Sequence, residues 1–455
     1  MEPEPVAEVE PVVEPEPIAE VEPVVEVERV GEAEPVVEPE RVGEVERVGE
    51  AEPVVEPERV GEVERVGEVE RVGEVERVGE VERVVEVERV GEVERAVVSE
   101  PVATAESVAE PAGESGLQPV SEAQIRGLLA EFVDGGRQSV GVVAAVTTEE
   151  GRAVVGYGRL SADDPTPPGA DTVFEIGSVT KVFTSTLLAD LVVRGDLGLD
   201  TPVQTLLGAA ARMPTRDGAE ITVGHLATHN SGLPRLPDNL DPADDTNPYA
   251  DYDTERLHAF LSSHELRRDI GEAVEYSNFG YGLLGHALAL RAGTDYETLV
   301  TERILEPLQM HDTVIELTPS LRERLAPGHD GRLRPAANWD FTALAGAGAL
   351  RSTVDDMLTF VDANMGLRES PLGAAMEFAH APQVPDPTLG MDLGLGWVIA
   401  VEGDRRFVWH NGATGGYSSF VGFDPEAREG VVVLSNSANL VDSVAYRLFT
   451  RDFGG

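Results

Sequence analysis

The valines of the first quarter of the chain recur on a three-residue period, and that spacing denies the segment a core. From Val60 to Val93 a valine stands at every third position. In an α-helix each step of three falls about 60° short of a full turn, so these side chains would walk around the axis. In a strand they would alternate between faces. The period does match polyproline II, and composition favours an extended state: residues 1–116 carry 36 Glu and no Asp against 10 Arg, a net charge of −26, with no aromatic residue. A left-handed β-helix would stack such valines, but it needs several capped turns and the clean repeat is too short. Residues 1–116 are therefore expected to be a disordered acidic tail, and packing must be found in residues 117–455.

That second part holds all 13 Phe, 8 Tyr and 3 Trp and has a net charge of −23. It is long enough to bury a large core. So acidic a surface repels phosphate backbones, which argues against a nucleic-acid partner. With no cysteine there is neither a disulfide nor a thiolate metal site. The start as written lacks the basic and apolar regions of a secretory signal, and no apolar run approaches the roughly 20 residues of a membrane span. The expectation is a soluble, cytoplasmic protein for this start, with secretion open if the true start lies elsewhere.

Periodicity gives an α+β outline for residues 117–455. Ser121 to Val133 reads as an amphipathic helix with a Ser121/Gln124 capping box. Ser139 to Thr147 and Arg152 to Tyr157 read as strands joined by a turn. The region from about 200 to 390 is helical and loop-rich, with helices at Leu283 to Ala292, Tyr296 to Leu305 and Thr353 to Met365. A Pro/Asp-rich stretch, Pro234 to Pro248, reads as a long loop that overhangs a site. Strands return at Gly396 to Val401, Arg406 to Trp409, Tyr417 to Phe423 and Gly430 to Ser435, before a last helix at Leu440 to Leu448. Strands at both ends imply one antiparallel sheet built from the two termini, flanked by helices in a sandwich-like α/β arrangement, with a helical region inserted.

Chemistry enters at Ser178-Val179-Thr180-Lys181, which contains the only lysine of the 455 residues. Arginine serves everywhere else, so this position needs an amine that can lose its proton in a dry site. A serine three residues before a lysine on a helix puts both side chains on one face, where the amine can take the hydroxyl proton. Two further elements stand at element borders. Tyr276-Ser277-Asn278 precedes a Gly-rich helix start; its phenol can relay a proton and its amide can orient a substrate carbonyl. His410-Asn411-Gly412-Ala413 follows the strand Arg406 to Trp409, and a backbone N–H beside its glycine can face a developing oxyanion. Taken singly, each has a structural reading: Tyr276 in the core, Asn278 as a helix cap, His410 as a satisfied strand histidine. Order and spacing favour the chemical one.

With these three elements the chain resembles the serine β-lactamase-like hydrolases, in particular the branch of class C β-lactamases, D-alanyl-D-alanine carboxypeptidases and family VIII esterases. The stretches His225 to Pro234, Gly346 to Thr353 and Gly394 to Trp397 are also similar to that family, over residues of about 121 to 450. The resemblance implies an acyl-enzyme on Ser178, Lys181 as base, Tyr276 as proton shuttle and an oxyanion hole of the Ser178 and Ala413 N–H groups, with Asn278, His410 and Gly412 lining the substrate site and no metal or cofactor. His225 and His229 read as structural.

One departure is informative. Many β-lactamases place Lys-Thr-Gly where this chain has His410-Asn411-Gly412, and a largely neutral imidazole is a weaker anchor for a substrate carboxylate. The leading expectation is thus a carboxylesterase-like enzyme on a small ester or amide. The alternatives are a β-lactamase or D-amino-acid peptidase of the same fold and, in another class, a non-catalytic binding or scaffold protein.

Overall fold

The computed structural model describes residues 119–386, 390–403 and 405–453, and two short strands within the repeat tract. Those two, Val66–Val69 and Glu74–Glu76, pair antiparallel with Gly67 opposite Glu76. The rest of the expected acidic tail lies outside the described residues.

The C-terminal unit is organised by an eight-stranded antiparallel sheet. Its strands are β1 (Gly141–Thr148), β2 (Gly151–Gly158), β3 (Val384–Asp386), β4 (Met391–Leu393), β5 (Val398–Glu402), β6 (Arg405–Ala413), β7 (Ser418–Asp424) and β8 (Glu429–Ser435). In space they run β2-β1-β8-β7-β6-β5-β4-β3. The termini meet where β1 pairs with β8, Ala145 opposite Val432. Alternation across the pleat explains why β1 and β8 read as unbroken apolar runs: both faces are covered. Val143, Ala145, Val432 and Leu434 enter the larger core. Val142, Ala144, Val431 and Val433 enter a second core, under the two terminal helices.

Those helices are α1 (Glu122–Ala130) and α5 (Asp442–Thr450). The expected capping box is formed: Gln124 N donates to Ser121 Oγ at 3.3 Å, and Ser121 N to Gln124 Oε1 at 3.0 Å. A π-helical turn, Glu131–Gly135, continues α1. On the opposite face lie α2 (Thr180–Val193), α3 (Asn278–Ala292) and α4 (Val354–Asn364). Helix α2 is buried on all sides from Thr180 to Asp190, as expected of a helix with no polar face. Its hydroxyls are satisfied across the core, Thr184 by Tyr296 and the Gly346 carbonyl and Ser185 by Tyr281.

Two expectations need correction. The strand expected to end at Trp409 runs on to Ala413, so His410, Asn411 and Gly412 belong to β6 itself rather than to a following loop. The mostly helical stretch of about 200 to 390 closes with β3, and β4 follows directly; both are too short to show a period. Pro385 is accommodated there because β3 is an edge strand. Residues 228–253 carry neither helix nor strand, as expected for the long loop.

Phe183 of α2 stacks on Phe360 of α4 with centroids 4.2 Å apart, both fully buried. Phe183→Ala should cost about 3–5 kcal/mol, read as a lower midpoint in urea unfolding of the full chain. A midpoint unchanged within error would show that α2 is not packed as described.

Candidate active site

Gly177–Val179 forms a 3-10 turn that runs directly into α2, so Ser178 and Lys181 lie one turn apart on the same face. Ser178 is half-buried and accessible. Lys181 is fully buried. Its Nζ lies 3.0 Å from Ser178 Oγ, 2.9 Å from Asn278 Oδ1 and 2.7 Å from the Ala347 carbonyl oxygen. All three neighbours are uncharged. Burying an ammonium without a counter-charge costs several kcal/mol, so such a group sheds its proton instead. Burial accordingly pushes the Lys181 pKa well below 10.5, and the nearby Arg235 guanidinium adds to the effect. A neutral amine has two N–H donors and one lone pair. With its two N–H groups on the Asn278 and Ala347 carbonyl oxygens, the unprotonated amine has its lone pair left to face the Ser178 hydroxyl 3.0 Å away.

Tyr276, Ser277 and Asn278 are held by the loop His229 to Arg235. Ser277 N donates to His229 Nδ1 at 3.1 Å, Ser277 Oγ donates to the Pro234 carbonyl at 2.6 Å, and Asn278 N donates to the Arg235 carbonyl at 3.0 Å. The cap of α3 is Ser277, whose Oγ accepts from Gly280 N; Asn278 is the first helical residue, and its side-chain oxygen is committed to Lys181. His229 packs against the Tyr276 ring at 4.5 Å. Burial, then Lys181, push it well below 6.5, which suits an Nδ1 that accepts. His225 closes a capping box with Thr222. Both histidines are thus wall-builders.

The Tyr276 phenol is pushed up to about 12 by burial, against the pull of the Ser178 hydroxyl and of Arg235. At neutral pH it therefore holds its proton, whereas burial favours the uncharged form of the Lys181 amine.

Strand β6 brings up the third element. Its partner β5 reaches only to Trp409, so His410 to Ala413 present a free edge to the Ser178 turn. Thr414 N donates to the Tyr417 carbonyl at 3.0 Å, closing the β6–β7 hairpin. Hydrogen-bonded and open pairs alternate in an antiparallel ladder, so Ala413 opposite Ser418 is an open pair. The Ala413 N–H thus points out of the hairpin toward that edge. Ser178 N–H belongs to a first helical turn, for which the helix supplies no acceptor. The close approach demands two glycines. A Cβ on Gly412 would fall 2.1 Å from the Ile176 oxygen, and one on Gly177 (φ +48°) 2.7 Å from the Ala413 oxygen. His410 is buried, and burial followed by Lys181 lowers its pKa to about 3. Its Nδ1–H donates to the Asn411 carbonyl at 2.5 Å. Asn411 itself turns away, donating to Asp442 at the start of α5. A largely apolar cavity of about 250 Å³ adjoins Tyr276 and His410, walled by Val274, Leu393, Trp397 and Val398.

All seven residues expected at the site therefore gather at one place. Three others were missed: Ala347, Tyr249, whose phenol interacts with the Asn278 side chain, and Arg235 over the Tyr276 ring. Ala347 lies inside the family-like stretch Gly346 to Thr353 and Arg235 one residue beyond His225 to Pro234, so a signal was present; Tyr249 had none. Among the described residues no cluster of three or more His, Cys, Asp or Glu could hold a metal ion, and no helix is long and apolar enough to cross a membrane.

Such a site on such a sheet defines a serine hydrolase of the β-lactamase-like class. Residues 125–452 match the family described as Beta-lactamase, and the chain belongs to that family. It is 28% identical over 334 residues to the D-alanyl-D-alanine-carboxypeptidase/endopeptidase AmpH of Escherichia coli (strain K12), covering 70% of this chain and 86% of the relative. A β-lactamase of Pseudomonas fluorescens is 27% identical over 336 residues, 66% of this chain and 89% of the relative. Among solved structures, a class C β-lactamase from Rhodobacter sphaeroides superposes with a TM-score of 0.63 at 25% identity, over 72% of this chain and 99% of the other. These likenesses support the β-lactamase or peptidase alternative better than the esterase expectation.

Gly412→Ala should push β6 away from the Ser178 turn. We expect reaction of Ser178 with a phosphonate probe to slow by about 10²–10³-fold. Unchanged labelling would show that this contact does not shape the site.

Proposed function

We propose that the protein hydrolyses an amide through an acyl-enzyme on Ser178, its substrate being a D-alanyl-type peptide or a β-lactam. The observation that carries this reading is the buried Lys181 amine 3.0 Å from the Ser178 hydroxyl with only uncharged partners. Relatives named for D-alanyl-D-alanine carboxypeptidase and β-lactamase activity support the substrate class.

In acylation the Lys181 lone pair takes the Ser178 proton as Oγ attacks the substrate carbonyl carbon. Charge developing on the carbonyl oxygen is met by the N–H groups of Ser178 and Ala413. Tyr276, neutral at pH 7, passes its proton to the leaving nitrogen and recovers one from the Lys181 ammonium. Water then attacks the ester carbon, with Tyr276 and Lys181 moving its proton in the reverse sense, and Ser178 is released. Asn278 holds the amine in line through its side-chain oxygen.

A second reading, the carboxylesterase, has one observation in its favour: His410 is uncharged where many β-lactamases carry a lysine.

An acyl-D-alanyl-D-alanine peptide, nitrocefin and p-nitrophenyl butyrate, each given to the full chain with mass analysis of the Ser178 peptide, separate these readings. Faster turnover of the peptide or nitrocefin, abolished by Ser178→Ala, is expected. Exclusive turnover of the butyrate would favour the esterase, and no adduct on Ser178 from any of them would sink both.

The pH profile gives an independent check. Lys181 must be unprotonated to act, so kcat/KM should fall about tenfold per pH unit below the lysine's lowered pKa and level off above it. Lys181→Arg, always protonated, should lose about 10²–10⁴-fold at every pH. Tyr276→Phe should slow both acylation and deacylation; unchanged rates would remove the tyrosine from the proton path.

A further inference from the structure

The site has no fixed positive charge on the residues expected to supply one. Lys181 is enclosed by three uncharged partners, and His410, which stands where the resemblance places an ammonium, is buried with its Nδ1–H committed to a carbonyl. The cation at this place is Arg235. Its main chain is fixed, because its carbonyl accepts from Asn278 N at 3.0 Å and Phe279 N at 3.1 Å, in the first turn of α3. Its side chain is exposed, with Cζ 5.0 Å from the centroid of the Tyr276 ring.

Neighbouring arginines are occupied, Arg268 by Glu275 and Arg256 by Asp251 at 3.8 Å. Among the described residues no carboxylate pairs with Arg235, in a unit whose carboxylates far outnumber its cations. A guanidinium kept free beside the reacting groups is available to an anion from outside. Its field is felt by them: it lowers Lys181 and opposes the upward shift of Tyr276.

We propose that Arg235 is the anchor for a carboxylate on the leaving-group side of the substrate, taking the part for which His410 carries no charge. The inference rests on the acyl-Ser178 reading. There, Tyr276 hands its proton to the leaving nitrogen, so the leaving residue lies against the phenol. A carboxylate on that residue comes within reach of the guanidinium stacked on the same ring, and the planar fork binds it bidentately. The substrates so selected are peptides cut at their free C-terminal residue, and bicyclic lactams whose carboxylate sits beside the scissile nitrogen. Internal peptide bonds lack that group.

The test uses an N-acyl-D-alanyl thioglycolate and its methyl ester, which lacks this charge, with thiol release giving kcat/KM for each and their ratio compared between variants. The wild-type enzyme should prefer the free acid, and Arg235→Gln should reduce that preference about 10- to 100-fold. Arg235→Lys should retain part of it, and Arg235→Glu should reverse it. A merely structural role would lower both probes together and leave their ratio unchanged, which overturns the proposal, as does the absence of any preference in the wild type. If both probes turn over in a Ser178-dependent way with a ratio indifferent to Arg235, the anchor alone fails. If neither does, the acyl-enzyme reading fails and takes the anchor with it.

Discussion

A primary amine buried without a counter-ion is the constraint on which the site depends. Exposed, Lys181 would be an ordinary ammonium with no lone pair to offer. Enclosed by Ser178, Asn278 and the Ala347 carbonyl, it is pushed toward its neutral form, at a cost the rest of the fold must absorb. The absorbing structure is α2, buried on every side from Thr180 to Asp190 and packed between the sheet and the helices around it. The three partners come from three separate parts of the chain, so the amine's environment exists only when α2, α3 and the turn at Ala345–Ala347 are all in place.

The second constraint is the contact between two backbones. Gly177 and Gly412 let the nucleophile turn and the free edge of β6 touch, and Ser419 Oγ clamps the contact by donating to the Ile176 carbonyl at 2.7 Å. A sheet closed through its terminal strands makes this possible, since β6 and β7 run on past β5 and leave an edge for the Ser178 turn. The two amides proposed to hold the oxyanion are thus positioned by packing, not by flexible side chains.

Electrostatics then divides the labour. Burial raises one acid, Tyr276, and lowers the bases Lys181, His410 and His229. A group driven toward losing its proton and a group that keeps its own stand side by side, which is the condition for moving a proton in both directions. Among the described residues, Arg235 is the cation left without a carboxylate partner where they meet, and its proposed role follows from what the other residues cannot supply.

Much of this was legible in the residues. The capping box at Ser121, the two-sided apolar runs of β1 and β8, and the pairing of Ser178 with Lys181 all follow from spacing within a single element. The solitary lysine stands at the centre of the site. Other features lay beyond local spacing. Strands β3 and β4 are three residues each, too short for a period, and β6 extends past Trp409 because the Ser178 turn and β7 support it. The cap proved to be Ser277, which freed the Asn278 side chain for Lys181. The Ala347 carbonyl meets that lysine across 166 residues. By itself, then, the sequence determined which groups could do chemistry and which segments could form helix or strand, because side-chain type and short-range periodicity are local properties. Only the tertiary structure decided which of those groups are dry, which are charged and which face one another, because desolvation and contact between distant segments arise when the elements pack.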